Sequence, residues 1–379
     1  MSSTAPFPLI EIEGSPRERG RSYGEQARER IHGSVALYSG SLGKMGLTKP
    51  DIAAMAIDFA PRIAAWAPDL MEEMEGIAEG ANLALSDIVL INARTEVLQL
   101  GQRNSEKDQE PDGCTGAVAL PQATANGRLL HGQNWDWRAE CAETSVVVKI
   151  LRDDGPDLLT FTEAGGLARS GMNSAGISIT ANYLECDRDY ARLGIPLPFI
   201  RRRALEAGHF ANALRVVATT PKSGSNNMML ATAEGFAVDL ECAPDEAFAI
   251  YPDESGLIVH ANHWLHMAAL SKLRESGLGD VPDSLYRDAR VRSHLAAPAQ
   301  AGRLSMDDMK KGFFDDFSTP FAVCRPPYRK DTGNLSATVA MIVMEPASGI
   351  MEVAPLPAIN TGFTRYQLTM DRTVVERAA

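Results

Sequence analysis

The part of the chain after residue 114 consists of short strand-like segments joined by tight turns, and this pattern limits the fold most. Residues 115–121 and 129–135 flank Ala125-Asn126-Gly127, a sequence typical of a hairpin turn. Further strand patterns occur at 145–151, 158–162, 176–182, 228–233, 236–241, 247–251, 257–260, 337–344 and 351–354. Because strands and helices do not alternate regularly, the pattern predicts antiparallel sheets and argues against a parallel doubly wound sheet.

Helical patterns dominate residues 1–100 and return further along the chain. Ser15, Pro16 and Glu18 form a typical capped helix start, which predicts a helix to about residue 31. Two further helical patterns begin at residues 68 and 86. Three more cover residues 198–219, 282–296 and 305–317. Together these segments predict an α+β fold of two antiparallel sheets with helices on the outside.

The composition narrows the possible partners. A formal charge of −12 argues against nucleic acid or an anionic membrane, because both require clustered Lys and Arg. No segment approaches the ~18 apolar residues of a membrane span, and the N-terminus does not resemble a secretory signal, so we expect a cytoplasmic protein.

The five cysteines are widely spaced without a C-x-x-C pair, which predicts free thiols and no metal site. No P-loop or dinucleotide-binding motif occurs, so we expect no cofactor.

A cysteine at the start of a predicted strand is the first candidate for chemistry. Residues 101–111 are almost entirely polar, and Gly113 and Cys114 separate them from an apolar segment. Cleavage of the Gly113–Cys114 bond would give Cys114 a free α-amino group beside its thiol, so that one residue would hold nucleophile and base. The local sequence fits an ordinary buried thiol equally well.

Two further polar residues are candidates. Asp136 ends the strand that follows the Cys114 strand across a hairpin, so its carboxylate is expected near Cys114, either for catalysis or as a strand terminus. Residues 260–266 contain three histidines, but no partner with metal-ligand spacing accompanies them. Asn262 in this segment is either an oxyanion donor or a turn residue.

These pieces, taken in order, resemble one family, the isopenicillin N acyltransferases, which are cysteine N-terminal-nucleophile (Ntn) hydrolases. The matching motifs are Asp112-Gly113-Cys114-Thr115, Gly132-Gln133-Asn134-Trp135-Asp136, Gly171-x-Asn173-Ser174-Ala175-Gly176, His260-x-Asn262-His263 and Cys324-Arg325. The likeness covers residues 10–345. Gly116, Ala322 and Val323 differ from the pattern of the penicillin-forming members, so the resemblance does not extend to β-lactam specificity.

The resemblance implies an αββα four-layer sandwich formed by residues 1–379 as a single domain. It also implies self-cleavage into an α-chain of residues 1–113 and a β-chain of residues 114–379 that stay associated. Cys114 would be the nucleophile, Asp136 the nearby carboxylate and Asn262 an oxyanion donor. The substrate-binding residues would be Arg325, Thr115, Trp135 and Phe321, and the substrate would be a small N-acyl compound, with acyl-CoA as a candidate acyl donor.

Two alternatives remain open at the level of sequence. In one, the chain is not processed, and a histidine such as His131 or His263 activates Cys114. In the other, the protein is a non-catalytic relative that binds a small ligand in the same pocket. For Arg325, an ion pair with a buried Asp or with Glu96 is as plausible as contact with a substrate carboxylate.

Overall fold

Two β-sheets stacked face to face form the centre of the protein. The structure is a computed structural model that describes residues 4–103, 113–330 and 333–371. Its strands are β1 Leu9–Ile12, β2 Gly113–Ala119, β3 Leu130–Arg138, β4 Ser145–Ile150, β5 Leu158–Glu163, β6 Ser170–Asn173, β7 Ile177–Tyr183, β8 Asn226–Thr232, β9 Phe236–Cys242, β10 Ala247–Ile250, β11 Leu257–His260, β12 Tyr328–Arg329, β13 Leu335–Glu345, β14 Ile350–Pro355 and β15 Thr364–Gln367.

The helices lie mainly in the first hundred residues and around residue 290. They are α1 Pro16–Gln26, α2 Arg28–Lys44, α3 Lys49–Ile57, α4 Ala60–Trp66, α5 Pro68–Ala81, α6 Leu85–Asn92, α7 Arg94–Arg103, α8 Cys141–Thr144, α9 Leu197–Leu205, α10 Phe210–Thr219, α11 Met267–Lys272, α12 Ser284–Gln300 and α13 Met306–Phe313. None of the helices in the described ranges is long and apolar enough to cross a membrane.

The first sheet has the strand order β1-β4-β5-β6-β7-β8-β9-β10, and the second has β11-β2-β3-β13-β14-β15, with β12 beside β13. Polar side chains join the two inner faces: both ring nitrogens of His131 on β3 bond to Ser178 and Thr180 on β7. Helices α9 and α10 contact the first sheet, and α12 and α13 contact the second. The predicted layering of two sheets between helices is therefore confirmed.

Several local predictions were wrong in detail. The first sheet is not purely antiparallel, because the short N-terminal strand β1 pairs with β4 in parallel. The predicted helix from residue 16 to about 31 is two helices that meet at Ala27, and the pattern at 198–219 is also divided between α9 and α10. Apolar periodicity continues across such breaks, so it does not mark them. Residues 104–112, most of the predicted polar loop, lie outside the described residues; residues 101–103 belong to α7.

Close packing of α1 against α5 organises the N-terminal helices. Gly20 and Gly24 on α1 face Gly76 and Gly80 on α5, and a Cβ built on any of them would come within 2.4 Å of a backbone oxygen of the other helix. The two backbones can approach this closely only because these side chains are hydrogen atoms.

Candidate active site

Cys114 is the second residue of β2 and is fully buried. β2 begins at Gly113, two residues earlier than predicted, because its partner β3 extends to Arg138 and offers backbone groups for pairing. Gly113 lies opposite Asp136, and Cys114 lies opposite Trp135. The Gly113–Cys114 peptide bond is thus held within a paired strand.

Polar side chains from separate parts of the chain contact Cys114. Its main-chain nitrogen donates to Oδ1 of Asn262 at 2.9 Å, and its carbonyl oxygen accepts from Nη1 of Arg287 at 2.6 Å. Nη2 of Arg169 lies 3.8 Å from its Sγ, and the same guanidinium stacks 3.9 Å from the centre of the Trp135 ring. A positive charge this close to a sulfur atom favours the thiolate.

Asp136 places a buried carboxylate against Gly113. Its Oδ1 accepts a hydrogen bond of 2.6 Å from the hydroxyl of Thr338, and its Oδ2 lies 3.1 Å from Nε of Arg325. Burial raises the pKa of Asp136, and this effect outweighs the opposing attraction of Arg325. A carboxylate of raised pKa beside the 113–114 bond can take up or deliver a proton there.

Asn262 lies two residues after the end of β11, and β11 pairs with β2, which explains the proximity of Asn262 to Cys114. Its Oδ1 accepts from the nitrogen of Cys114 and from Nη2 of Arg287, and its Nδ2 donates to the carbonyl oxygen of Tyr183 at 2.8 Å. Its main-chain nitrogen donates to the hydroxyl of Ser284 at 2.7 Å. These contacts fix the orientation of the side-chain amide.

Arg325 is paired with two aspartates. It contacts Asp136, and its Nη2 bonds to Asp283, which in turn accepts from Nε of Arg287 at 2.7 Å. All four side chains are buried, so carboxylates and guanidiniums alternate along a chain of ion pairs. Burial opposes the charge of Arg325, but the two carboxylates keep its pKa above the usual value. Of the two ion pairs considered from sequence, the one with a buried Asp is present.

The other predicted binding residues differ in location. Thr115 is buried and its hydroxyl accepts from Nη1 of Arg287 at 2.9 Å. Trp135 is buried beneath Arg169. Phe321 is 47% exposed and contacts Tyr328 edge to face, with 5.5 Å between the ring centres. The structure thus brings Thr115 and Trp135 to Cys114 and leaves Phe321 at the surface.

Sequence reasoning missed Arg169, Asp283 and Arg287. Asp283 and Arg287 are four residues apart at a helix start, a spacing typical of an intrahelical ion pair. That spacing reveals the pair but not its neighbours, because the contact of Arg287 with Cys114 spans 173 positions. No local signal distinguishes Arg169.

The histidines that were candidates for activating Cys114 bond to other groups. The two ring nitrogens of His131 lie 2.8 and 2.9 Å from the hydroxyls of Ser178 and Thr180, and burial lowers its pKa to about 3. Nδ1 of His263 lies 2.8 Å from the hydroxyl of Ser284. Hydroxyl groups thus engage both ring nitrogens of His131 and Nδ1 of His263.

The third histidine of interest, His260, forms a buried ion pair. Its Nε2 lies 2.7 Å from Oε1 of Glu241. Burial opposes protonation, but Asp239 and Glu241 outweigh it and raise the pKa of His260 to about 9. Within the described part of the chain, no group of three or more His, Cys, Asp or Glu residues could hold a metal ion.

Arg169, whose guanidinium lies beside the thiol, also borders a small cavity. Arg169 lines it together with Arg94, Arg201, Glu163 and Tyr183, and its volume is about 30 Å³. A space of this size holds about one water molecule. Its lining carries three guanidiniums and one carboxylate, so positive charge predominates.

Two stacked sheets lie between helix layers, and this arrangement places a thiol near the start of a central strand. The chain belongs to the acyl-coenzyme A:6-aminopenicillanic acid acyl-transferase family, whose model matches residues 123–354. The match includes Asp136, Asn262 and Arg325. It confirms the resemblance found in the sequence.

Individual relatives agree with this assignment. The chain is 29% identical over 322 residues to the 40 kDa form of acyl-coenzyme A:6-aminopenicillanic-acid-acyltransferase from Emericella nidulans, covering 83% of this chain and 84% of the relative.

Solved structures with some likeness include a variant of the conjugated bile acid hydrolase from Clostridium perfringens, at 13% identity and a TM-score of 0.48 over 69% of this chain and 94% of the other. Another is penicillin V acylase from Agrobacterium tumefaciens, at 14% identity and a TM-score of 0.44 over 68% and 86%. The fold assignment rests on the sheets and helices described above, since both TM-scores are below 0.5.

Proposed function

We propose that this protein is a self-processing cysteine Ntn enzyme that cleaves its Gly113–Cys114 bond and then transfers or hydrolyses the acyl group of a small N-acyl substrate. The observation that carries the proposal is the environment of Cys114: its nitrogen bonds to Asn262, its sulfur lies beside Arg169, and Asp136 lies against Gly113. Membership of an acyltransferase family supports it.

In the self-cleavage step, the Cys114 thiolate would attack the carbonyl carbon of Gly113. The C–N bond of that peptide would break, the nitrogen of Cys114 would take a proton, and Gly113 would be held as a thioester on Sγ. Water would then hydrolyse the thioester, which releases the Gly113 carboxylate and the free thiol and amine of Cys114. Asp136, adjacent to Gly113, is the candidate for moving the proton.

In the turnover step, the new α-amino group would act as the base. Its ordinary pKa of about 8 suits a group that exchanges protons near neutral pH. The thiolate would attack an amide or thioester carbonyl, and the amino group would return the proton to the leaving group. Nδ2 of Asn262 has two N–H bonds, one directed at Tyr183, and the other is the candidate oxyanion donor. The acyl group would pass from Sγ to water or to an amine.

The cavity lining suggests the substrate class. Three arginines and one glutamate favour an anionic group near the scissile carbonyl, and planar guanidiniums are suited to carboxylates. A cavity of about 30 Å³ does not admit an acyl group, so binding would require it to widen. We therefore propose N-acyl amino acids and similar carboxylates as substrates.

Denaturing mass spectrometry tests the processing step. The expected result is two fragments, with the larger beginning at Cys114; a single species of 40.9 kDa in active protein would contradict the proposal. Cys114→Ala should abolish both processing and turnover. Cys242→Ala is the matched control, because Cys242 is an equally buried free thiol on β9 and should be dispensable.

The substrate class is tested by comparing an N-acyl amino acid with its C-terminal amide, which lacks the negative charge. The expected kcat/KM ratio favours the acid by about tenfold or more, a typical value for a charged hydrogen bond. Arg169→Gln should reduce this preference. Arg203→Gln, which alters a half-exposed ion pair with Asp69, should not change it. Equal rates for acid and amide in the unaltered enzyme would contradict the anionic-substrate proposal.

A further inference from the structure

Arg287 lies in the first turn of α12 and is fully buried. Its guanidinium bonds to the carbonyl oxygen of Cys114, the hydroxyl of Thr115, Oδ1 of Asn262 and a carboxylate oxygen of Asp283, at 2.6, 2.9, 2.7 and 2.7 Å. It therefore connects helix α12 to both the proposed nucleophile and the proposed oxyanion donor.

The first consequence concerns the amide of Asn262. Its Oδ1 accepts from the nitrogen of Cys114 and from Arg287, so exchanging the oxygen and nitrogen of the amide would place N–H groups against two donors. Buried donors without acceptors are costly. Arg287 thus keeps Nδ2 on the side where an oxyanion would form.

The second consequence concerns the nitrogen of Cys114. Because this nitrogen and the guanidinium of Arg287 bond to the same oxygen atom, they lie no more than about 6 Å apart. After cleavage, the nitrogen would become an α-amino group able to carry a positive charge. A guanidinium at this distance disfavours the ammonium form, so it increases the fraction of free base at neutral pH.

Other charged groups around Cys114 also affect the balance between the ammonium and free-base forms of its α-amino group. Three guanidiniums and two carboxylates surround Cys114, which leaves a net positive charge beside the amino group. They come from β3, from the segments before β6 and β12, and from the start of α12; they are Asp136, Arg169, Arg325, Asp283 and Arg287. On the segment after β11, burial lowers the pKa of His263, so this ring adds little positive charge near neutral pH.

We infer that Arg287 is a positioning residue that orients Asn262 and holds the α-amino group of Cys114 in its neutral form. This inference rests on the proposed role of Cys114 as the N-terminal nucleophile. The residue needs no contact with substrate to act in this way.

The pH profile of kcat/KM tests the inference, with rates expressed per processed molecule. In Arg287→Met, the acidic limb should move to higher pH by about one unit, since one nearby positive charge is removed, and kcat should fall. In Arg287→Lys, which keeps the charge, the limb should stay close to its original position while kcat falls. Arg290→Met is the control: it lies one turn further along α12, pairs with Asp315, and should leave the profile unchanged.

If Arg287→Met does not fold, Asp283→Asn provides the opposite perturbation, because it removes a negative charge beside Arg287. Its acidic limb should move to lower pH. An unshifted limb in either variant would overturn the inference while leaving the proposed function intact. Turnover by Cys114→Ala would instead contradict the proposed function itself, so the two failures are distinguishable.

Discussion

A methyl group added at Gly113 should separate self-cleavage from turnover. The Cβ of Gly113→Ala would lie 2.9 Å from Oδ2 and 3.0 Å from Cβ of Asp136, and 3.3 Å from Cζ of Arg325. These neighbours are buried and joined by an ion pair, so they cannot easily move aside. Because ordinary contacts are about 3.5–4 Å, the strand would shift by about half an ångström relative to Asp136.

The expected magnitude follows from this displacement. A misplacement of about 1 Å costs about a hundredfold in rate, so half that shift should slow self-cleavage by about tenfold. After cleavage, residue 113 is the last residue of the α-chain, and the β-chain is identical to that of the unaltered protein. Turnover per processed molecule should therefore be close to normal.

The assay follows precursor and fragments by mass spectrometry over time and measures the kcat of the processed fraction. Gly40→Ala is the control, because a Cβ at that helix position meets nothing within 4 Å. Processing of Gly113→Ala at the unaltered rate would refute the assigned geometry of the cleavage site. Slow processing together with an equally reduced kcat would show that the substitution acts on the mature site instead.

Three further outcomes are expected. Asn262→Ala should reduce the kcat of processed enzyme by about 10²–10³-fold if its amide binds the oxyanion, and an unchanged kcat would exclude that role. Because the pKa of His260 is about 9 when folded and about 6.5 when unfolded, its contribution to stability is complete below pH 6.5 and is lost as the pH rises through 9. In urea unfolding of the Cys114→Ala variant, the free energy of unfolding should therefore be about 3 kcal/mol lower above pH 9 than below pH 6.5. Adding His260→Gln should remove most of this pH dependence. Gly76→Ala should destabilise the protein by about 2–3 kcal/mol, because its Cβ would lie 2.3 Å from the carbonyl oxygen of Arg17; no change in the urea midpoint would contradict the packing of α1 on α5.

The local parts of the fold were predictable from sequence because they depend on neighbouring residues. The hairpin of β2 and β3 joins segments about 20 positions apart, so turn residues and apolar patterns predicted it, and with it the closeness of Cys114 and Asp136. The α5 start at Pro68 was predicted for the same reason. The parallel pairing of β1 with β4 was not predicted, because it joins residues 138 positions apart and leaves no local signature in the sequence.

The sequence by itself determined the fold class, the order of the motifs and the family, since each depends on residue types and their spacing. Only the tertiary structure decided how the site is assembled. It brings α12 onto the start of β2, so that Arg287 bonds to Cys114 and Asn262, and it pairs Arg325 with Asp136 and Asp283. Such contacts arise from sheet order and helix docking, and they join residues between 25 and 173 positions apart, or 189 for Arg325 and Asp136. Local periodicity carries no information about them.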